Sequence, residues 1–449
     1  MRLFSKAPID TKLSALTLSD WASHVVEDPT LRLAMAVASN TNVSDSLIRD
    51  ERKAALTSGQ FSNIVVPEGE PRMNQRSSGR CWLFAACNML RLPIMKQYNL
   101  EKFELSPRFL FFYDKLEKAN FFLDQIVKTA DLEVDSRLVQ HLLAAPVNDG
   151  GQFNMFANIA EKYGMVPMSA FPESATTKNS HMVNQLVTTM LRQYAQELRA
   201  AVQARKDPKP LQHEMIKKVH QLLVVFLGVP PTKFDWDYTT KDDKTGSVKN
   251  LTPLRFYKEI VKTDATQCVS LLNDPRNPYE RPVHVERLGN VVESGEVTYF
   301  NAPIDVLARK AIERIKQNKG VFFGTHTPIY HDNASGIIDT QSWDYEALGF
   351  NPTQNKADRL RYGESLMTHA MVLVGVHLDT DGNPVRWKVE NSWSEKSGLE
   401  GYYTMSHDFF KEYVYQVVVD KDEVPEYADK FEDEPIRLAP WDPCGALAN

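Results

Sequence analysis

Cys81 is the residue from which chemistry can start. The run after it is apolar at helical spacing, through Phe84, Ala85, Met89 and Leu90, and small and polar residues precede it, so the pattern predicts a helix beginning at Cys81. A thiol there faces unpaired backbone N–H groups and the positive end of the helix dipole, both of which favour the thiolate. A thiolate that attacks an acyl carbon also needs an imidazole, first to hold it ionised and then to protonate the leaving group. Of eleven histidines, His369 stands just ahead of the apolar, strand-like run 371–376, a place from which it can face a cleft. Taken singly, both residues have blander readings: an inert core thiol beside Trp82, Leu83 and Phe84, and a structural histidine.

The elements that must position these two groups divide along the chain. Helical patterns cover 21–37, 81–95, 107–116, 136–143, 183–202 and 215–226. Turns fall at 67–71 and at Asn148-Asp149-Gly150-Gly151-Gln152, and 230–300 reads as loops and short strands. Beyond Ala370 the pattern turns strand-like, at 371–376, 385–389, 402–405 and 415–419, with a turn at Asp381-Gly382-Asn383-Pro384. Helices first and sheet later predicts an α+β fold. No internal repeat points to a solenoid.

Ser78-Gly79-Arg80-Cys81-Trp82, with Gln75 ahead of it, His369 in Met367-Thr368-His369-Ala370-Met371, and Glu390-Asn391-Ser392-Trp393 together resemble the papain superfamily of cysteine peptidases, in the order Cys, His, Asn. The resemblance implies Cys81 as nucleophile, His369 as its base and Asn391 orienting the imidazole. It further implies that Trp393 covers the His–Asn hydrogen bond, and that Gln75 with the Cys81 backbone N–H forms the oxyanion hole. Gly150 and Gly151 resemble the glycines against which an extended substrate backbone lies, a plain tight turn being the alternative. Three residues depart from the pattern. Ser78 replaces a cysteine that forms a disulfide in secreted members, which suits a reducing compartment. Arg80 replaces a small residue, implying a narrower or more basic entrance to the nucleophile. Ser394 stands where Gly usually follows the Trp, a cost if the backbone there needs φ > 0.

Leu105-Ser106-Pro107, Phe111-Phe112-Tyr113-Asp114-Lys115, Glu161-Lys162-Tyr163-Gly164 and Gly363-Glu364-Ser365 extend the resemblance, essentially end to end, to the bleomycin hydrolase (aminopeptidase C) branch. This implies a two-lobed papain-like fold, with a helical lobe and a β-barrel-like lobe, carrying helical insertions. The expected divisions are an N-terminal arm over 1–65, the nucleophile lobe over 66–182, a mainly helical insertion over 183–275, the β-rich lobe over 276–438 and a C-terminal arm over 439–449. In that branch the C-terminal arm lies in the cleft. Asn449 would then offer its carboxylate to a substrate's free α-amine, making an aminopeptidase of an endopeptidase cleft; apart from the resemblance, a frayed end is the simpler reading. Cys444 stands where Met is more usual. The branch also implies a homohexamer, removal of N-terminal residues through a thioester, and turnover of bleomycin or homocysteine thiolactone. The alternative is a nucleic-acid-binding or regulatory protein on the same scaffold.

Bulk properties narrow the classes. A formal net charge of -6 with no basic run weighs against nucleic acid as the main partner, leaving DNA or RNA binding secondary. No His-Glu-x-x-His occurs, and His213 with His220 or His326 with His331 lack a ligand pattern, so neither metal nor cofactor is expected. The longest strongly apolar run, 222–229, is too short to cross a bilayer. Cys81, Cys87, Cys268 and Cys444 form neither a disulfide framework nor a Cys-x-x-Cys pair. The N-terminus lacks the apolar stretch of a secretory signal, and Asp10 and Asp20 suit a mitochondrial presequence poorly. Cytoplasm is the expected location, with room for a minor mitochondrial pool.

Overall fold

Asp28 and Pro29 split the first helical pattern in two. In the computed structural model, which describes residues 11–327 and 330–448, α1 (Ala15–Glu27) ends at Asp28, held extended at φ -74° and ψ 116° before the proline. Its carboxylate then caps α2 (Pro29–Asn40), accepting from Thr30 N at 2.8 Å and Leu31 N at 3.1 Å. Neither helix buries a residue; Leu16, Trp21, Leu33 and Met35 stay exposed. The described residues of Met1–Ala55 form a compact unit with Thr340–Thr353. Inside it Trp343 donates its indole N–H to Ser44 O at 3.0 Å.

The second unit, Leu56–Asp339 with Gln354–Asn449, holds every other motif. Its central helix is α3 (Cys81–Gln97), apolar all round and buried over most of its length, as a helix enclosed by protein must be. Around it stand α4 (Pro107–Lys128), α5 (Arg137–Ala144), α6 (Phe153–Tyr163), α7 (His181–Gln203) and α8 (Lys209–Leu227). Ser106 caps α4, accepting from Phe109 N at 3.2 Å, with Pro107 in the first turn. The helix runs a dozen residues past the expected end at 116, because Phe122, Leu123 and Ile126 extend the buried stripe.

The strands form, among the described residues, one sheet of 12 strands and a separate two-stranded hairpin. The middle of the large sheet is antiparallel throughout. Its strands are β1 (Cys268–Leu272), β2 (Val321–Thr325), β3 (His369–Leu378), β4 (Pro384–Glu390), β5 (Tyr402–Ser406) and β6 (Val414–Asp420), in the spatial order β1-β6-β2-β3-β4-β5. In β3 the first eight residues are all buried, as befits a strand covered on both faces. Helix α3 packs on β3, which sets the element led by Cys81 against the strand led by His369.

One ion pair ties these elements together. Arg91, on α3, donates to Glu390 at the end of β4 at 2.5 Å, and both side chains have 0% exposure. Arg91 also donates to Pro71 O at 2.7 Å and Phe103 O at 3.3 Å. Removing one partner of such a pair strands the other charge in the interior, typically at about 3–5 kcal/mol. Glu390→Ala is therefore expected to lower the free energy of denaturant unfolding by that order, with Glu390→Gln losing less.

Candidate active site

Cys81 opens α3, and the residue before it makes no side-chain cap, so the first N–H groups of the helix are left for other partners. The entrance expected of Arg80 is not there. Its side chain is fully buried and turned away from the thiol, bidentate to Glu173 at 2.9 and 2.7 Å, with further bonds to Thr177 O at 2.7 Å and Ser78 Oγ at 2.9 Å. An arginine fork paired in this way adds no positive charge to the entrance. It splints the loop before Cys81 instead.

A second splint comes from the Asn148–Gln152 turn. The Asp149 carboxylate accepts from Gly79 N at 3.0 Å, Lys115 Nζ at 2.7 Å, Asn184 Nδ2 at 2.8 Å and the Ser180 hydroxyl. The Asp149 carbonyl takes the Trp82 indole N–H at 2.7 Å. Although burial opposes ionisation, Lys115 and the hydroxyl and amide donors hold Asp149 well below the usual carboxylate range. Lys115 and Asp149 lie in segments that carried the family resemblance; what singled out neither was any spacing between them, since they meet only in the fold.

His369 begins β3, opposite Thr325 of β2. Its Nε2 lies 3.0 Å from Asn391 Oδ1, which also accepts from Ser392 N at 2.8 Å. With Nε2–H given to the amide oxygen, Nδ1 is free to face the thiol. The Trp393 ring stacks on the imidazole at 4.8 Å and 29°. The backbone N–H of Ala370, the residue next to His369, is among the groups that favour the Cys81 thiolate. Burial pushes the thiol up to about 11, against the pull of N–H groups of Ala370, Trp82 and Cys81 itself. Burial likewise drives His369 down to about 4, against its bond to Asn391.

Gln75 joins the two sides. Its backbone N donates to Ser392 O at 2.8 Å, its Oε1 accepts from Ser392 Oγ at 2.6 Å, and its Nε2 donates one hydrogen to Ser78 O at 2.7 Å. The second Nε2 hydrogen is not used by that bond. Ser394, next to Trp393, adopts φ 75°, the left-handed region that Gly favours; its hydroxyl repays part of that strain by accepting from Lys396 N at 3.3 Å.

Gly151 sits where no side chain fits: a Cβ there would lie 2.4 Å from the Trp82 ring. Its N–H donates to Leu447 O of the C-terminal segment at 2.8 Å. Gly150 offers its carbonyl to Lys118. The C-terminal segment is anchored at several points: Asp442 to Arg276 at 2.8 Å, Met367 N to Pro443 O at 3.3 Å, and Tyr299 OH to Cys444 O at 3.3 Å. It thus runs from two residues before His369 to Gly151. Asn449 lies outside the described residues.

A profile of the Peptidase C1-like family matches residues 12–445. The chain belongs to that family. Within the Peptidase C1-like family it is 45% identical over 445 residues to "Cysteine proteinase 1, mitochondrial" of Saccharomyces cerevisiae, covering 96% of this chain and 92% of the relative. It is 45% identical over 389 residues to aminopeptidase C of Streptococcus thermophilus (84% and 86%) and 40% identical over 437 residues to bleomycin hydrolase of Mus musculus (94% and 95%). The crystal structure of PepW from Lactobacillus rhamnosis superposes with a TM-score of 0.94 at 37% identity, covering 98% of this chain and 100% of PepW. The α+β papain-like fold and a cysteine peptidase of the bleomycin hydrolase and aminopeptidase C type follow.

Gly151→Ala tests the joint between the C-terminal segment, the turn and α3. Its methyl group has to displace the Trp82 indole or the Gly151 backbone, at about 1–3 kcal/mol. A lowered thermal midpoint and a changed Trp fluorescence spectrum are the expected readouts.

Proposed function

We propose that this peptidase removes single residues from the free N-termini of peptides, with Cys81, His369, Asn391 and Gln75 in the roles their types suggest. Buried alone, the Cys81 thiol and the His369 imidazole each favour the neutral form. Moving the proton from sulfur to imidazole sets opposite charges face to face, so the two titrate as a unit. The thiolate attacks the first peptide carbonyl. The electron pair displaced onto oxygen is held by the Cys81 N–H and the spare Gln75 Nε2 hydrogen. Collapse expels the amine, protonated by His369, and leaves a thioester; water, deprotonated by His369, then releases the N-terminal residue. The observation that carries this reading is the 3.0 Å His369–Asn391 bond beneath Trp393, on the strand against which the helix opened by Cys81 packs.

The exopeptidase character is supported by the bond from Gly151 N to Leu447 O, through which the chain's own C-terminal segment takes the place of an extended peptide at that glycine. A segment held there leaves no room for substrate residues ahead of the one removed, and so selects a free N-terminus. Bleomycin and homocysteine thiolactone suit the same acyl transfer, because each offers a carbonyl beside a free amine. The exposed apolar residues of α1 and α2 support self-association, with a homohexamer as the expected size, read by sedimentation velocity. The four free cysteines fit a cytoplasmic location, although the yeast relative is named mitochondrial. The rival nucleic-acid-binding role predicts salt-dependent retention of Cys81→Ala on immobilised DNA.

Iodoacetamide is expected to alkylate Cys81 before Cys87, Cys268 or Cys444, whose thiols burial pushes higher still. Cys81→Ala should lose at least about 10³-fold in kcat; an active Cys81→Ala protein overturns the mechanism. Deleting residues 443–449 is expected to shift cleavage from N-terminal trimming toward internal bonds, followed by mass spectrometry of a blocked and an unblocked peptide. An unchanged demand for a free N-terminus overturns the arm's role.

A further inference from the structure

Trp441 and Asp442 open the C-terminal segment, and each is gripped from a different part of the fold. The Trp441 indole lies under the Arg137 guanidinium, whose carbon is 3.8 Å from the ring centroid, and it meets the His141 ring edge-on at 5.9 Å and 73°. Arg137 and His141 stand one turn apart on α5. Trp441 keeps 36% of its surface exposed, so burial alone does not hold it; a guanidinium over an indole face adds a directed attraction. Helix α5 is itself tied down, because Arg192 donates to Leu143 O at 3.0 Å and to Ala144 O at 3.1 Å. Just beyond it begins the turn that carries Gly151.

Asp442 is held from the sheet. Arg276, in the loop after β1, donates through Nη2 to Asp442 Oδ1 at 2.8 Å. The guanidinium is aimed before it meets the segment: Nε reaches Asp274 Oδ1 at 2.8 Å, Nη2 reaches Asp274 Oδ2 at 2.9 Å, and Asp274 is fully buried. Asn277 Nδ2 donates to the same carboxylate at 2.8 Å. Asp442 Oδ1 also accepts from Cys444 N at 2.9 Å, and Asp442 O accepts from Gly445 N at 2.9 Å. The oxygen that Arg276 grips therefore also starts the 3₁₀ turns of Pro443–Ala448. Such turns advance only about 2 Å per residue. They hand on the position of Asp442 to Leu447, whose carbonyl meets Gly151 N.

We propose that Arg137 and Arg276 are specificity-determining residues: by clasping Trp441 and Asp442 they fix the register of the C-terminal segment in the cleft, and so the demand for a free N-terminus. The inference rests on the exopeptidase reading above. These four residues act through the position of the segment and not on the reacting atoms. Freed at one grip, the segment can withdraw, and the length of cleft it vacates admits further residues of a longer peptide.

One peptide, offered with its N-terminus free and with it acetylated, reads the clasp: mass spectrometry of the products gives the ratio of internal cleavage to N-terminal trimming. Trp441→Ala is expected to raise that ratio about fivefold and Asp442→Ala about tenfold, the scale of one cation–π contact and of one charge-assisted hydrogen bond. Arg137→Ala, at an exposed position, should match Trp441→Ala. Trp441→Phe keeps a ring under the guanidinium and should return most of the wild-type ratio. In a chain lacking residues 443–449 the same changes should alter the ratio less than about twofold, because nothing remains to be positioned. A wild-type ratio in Trp441→Ala or in Asp442→Ala overturns the inference, as does an effect of equal size without residues 443–449. Should Asp442→Ala fail to fold, Asp442→Asn keeps the acceptor for Cys444 N and loses the charge facing Arg276. It is then expected to raise the ratio about threefold, and a wild-type ratio overturns the inference. The two readings fail separately: if deleting 443–449 leaves the demand for a free N-terminus unchanged, the exopeptidase reading fails, whereas a deletion that shifts cleavage beside wild-type ratios in the point variants refutes only the clasp.

Discussion

The Arg91–Glu390 pair is the constraint on which the site depends. One charge belongs to the helix that Cys81 opens, the other immediately precedes Asn391, and neither reaches solvent. Two ions withdrawn from water hold only where geometry and additional hydrogen bonds offset the desolvation. Here the same guanidinium also binds Pro71 O, on the approach to Gln75, and Phe103 O. A shift of helix against sheet would break several charge-assisted bonds at once. The apolar face between α3 and β3 supplies adhesion, which is non-directional. The ion pair supplies register.

Within that frame the local electrostatics are arranged around one helix end. An acidic cap at the start of α3 would oppose a thiolate, and none is present. Asp149, the nearby carboxylate, has its charge engaged by Lys115, Ser180, Asn184 and Gly79 N. Arg80, adjacent to Cys81, is neutralised by Glu173. The strongest charges near Cys81 thus serve the shape of the loop, and the backbone N–H groups of Ala370, Trp82 and Cys81 favour the thiolate against burial and the Asp149 charge. The C-terminal segment uses the same economy: Asp442 is held by Arg276, and the bond at the cleft is a neutral backbone one, to Gly151.

Several features were legible before any fold was known. The helix starting at Cys81, the strand led by His369 and the strands that follow were marked by apolar spacing, because each has a dominant buried face. The positive φ at Ser394 was foreshadowed by the Gly usual in that position. The first helical pattern misled, since spacing continues across Asp28-Pro29 while the backbone does not. Arg80 misled for another reason: a side chain's direction depends on its partner, and Glu173 lies far along the chain. The pairing of Asp149 with Lys115 and of Arg91 with Glu390 carries no local pattern, because each joins residues far apart in the chain.

The amino-acid sequence by itself marked the candidate reactive groups and the elements on which they ride, since residue type and spacing are local properties of the chain. Only the tertiary structure decided which buried charges meet, which way Arg80 turns, which groups donate to Asn391 Oδ1 and where the C-terminal segment lies. Those outcomes depend on contacts between distant segments, through burial that makes an unpaired charge or amide costly and so selects the partner that satisfies it.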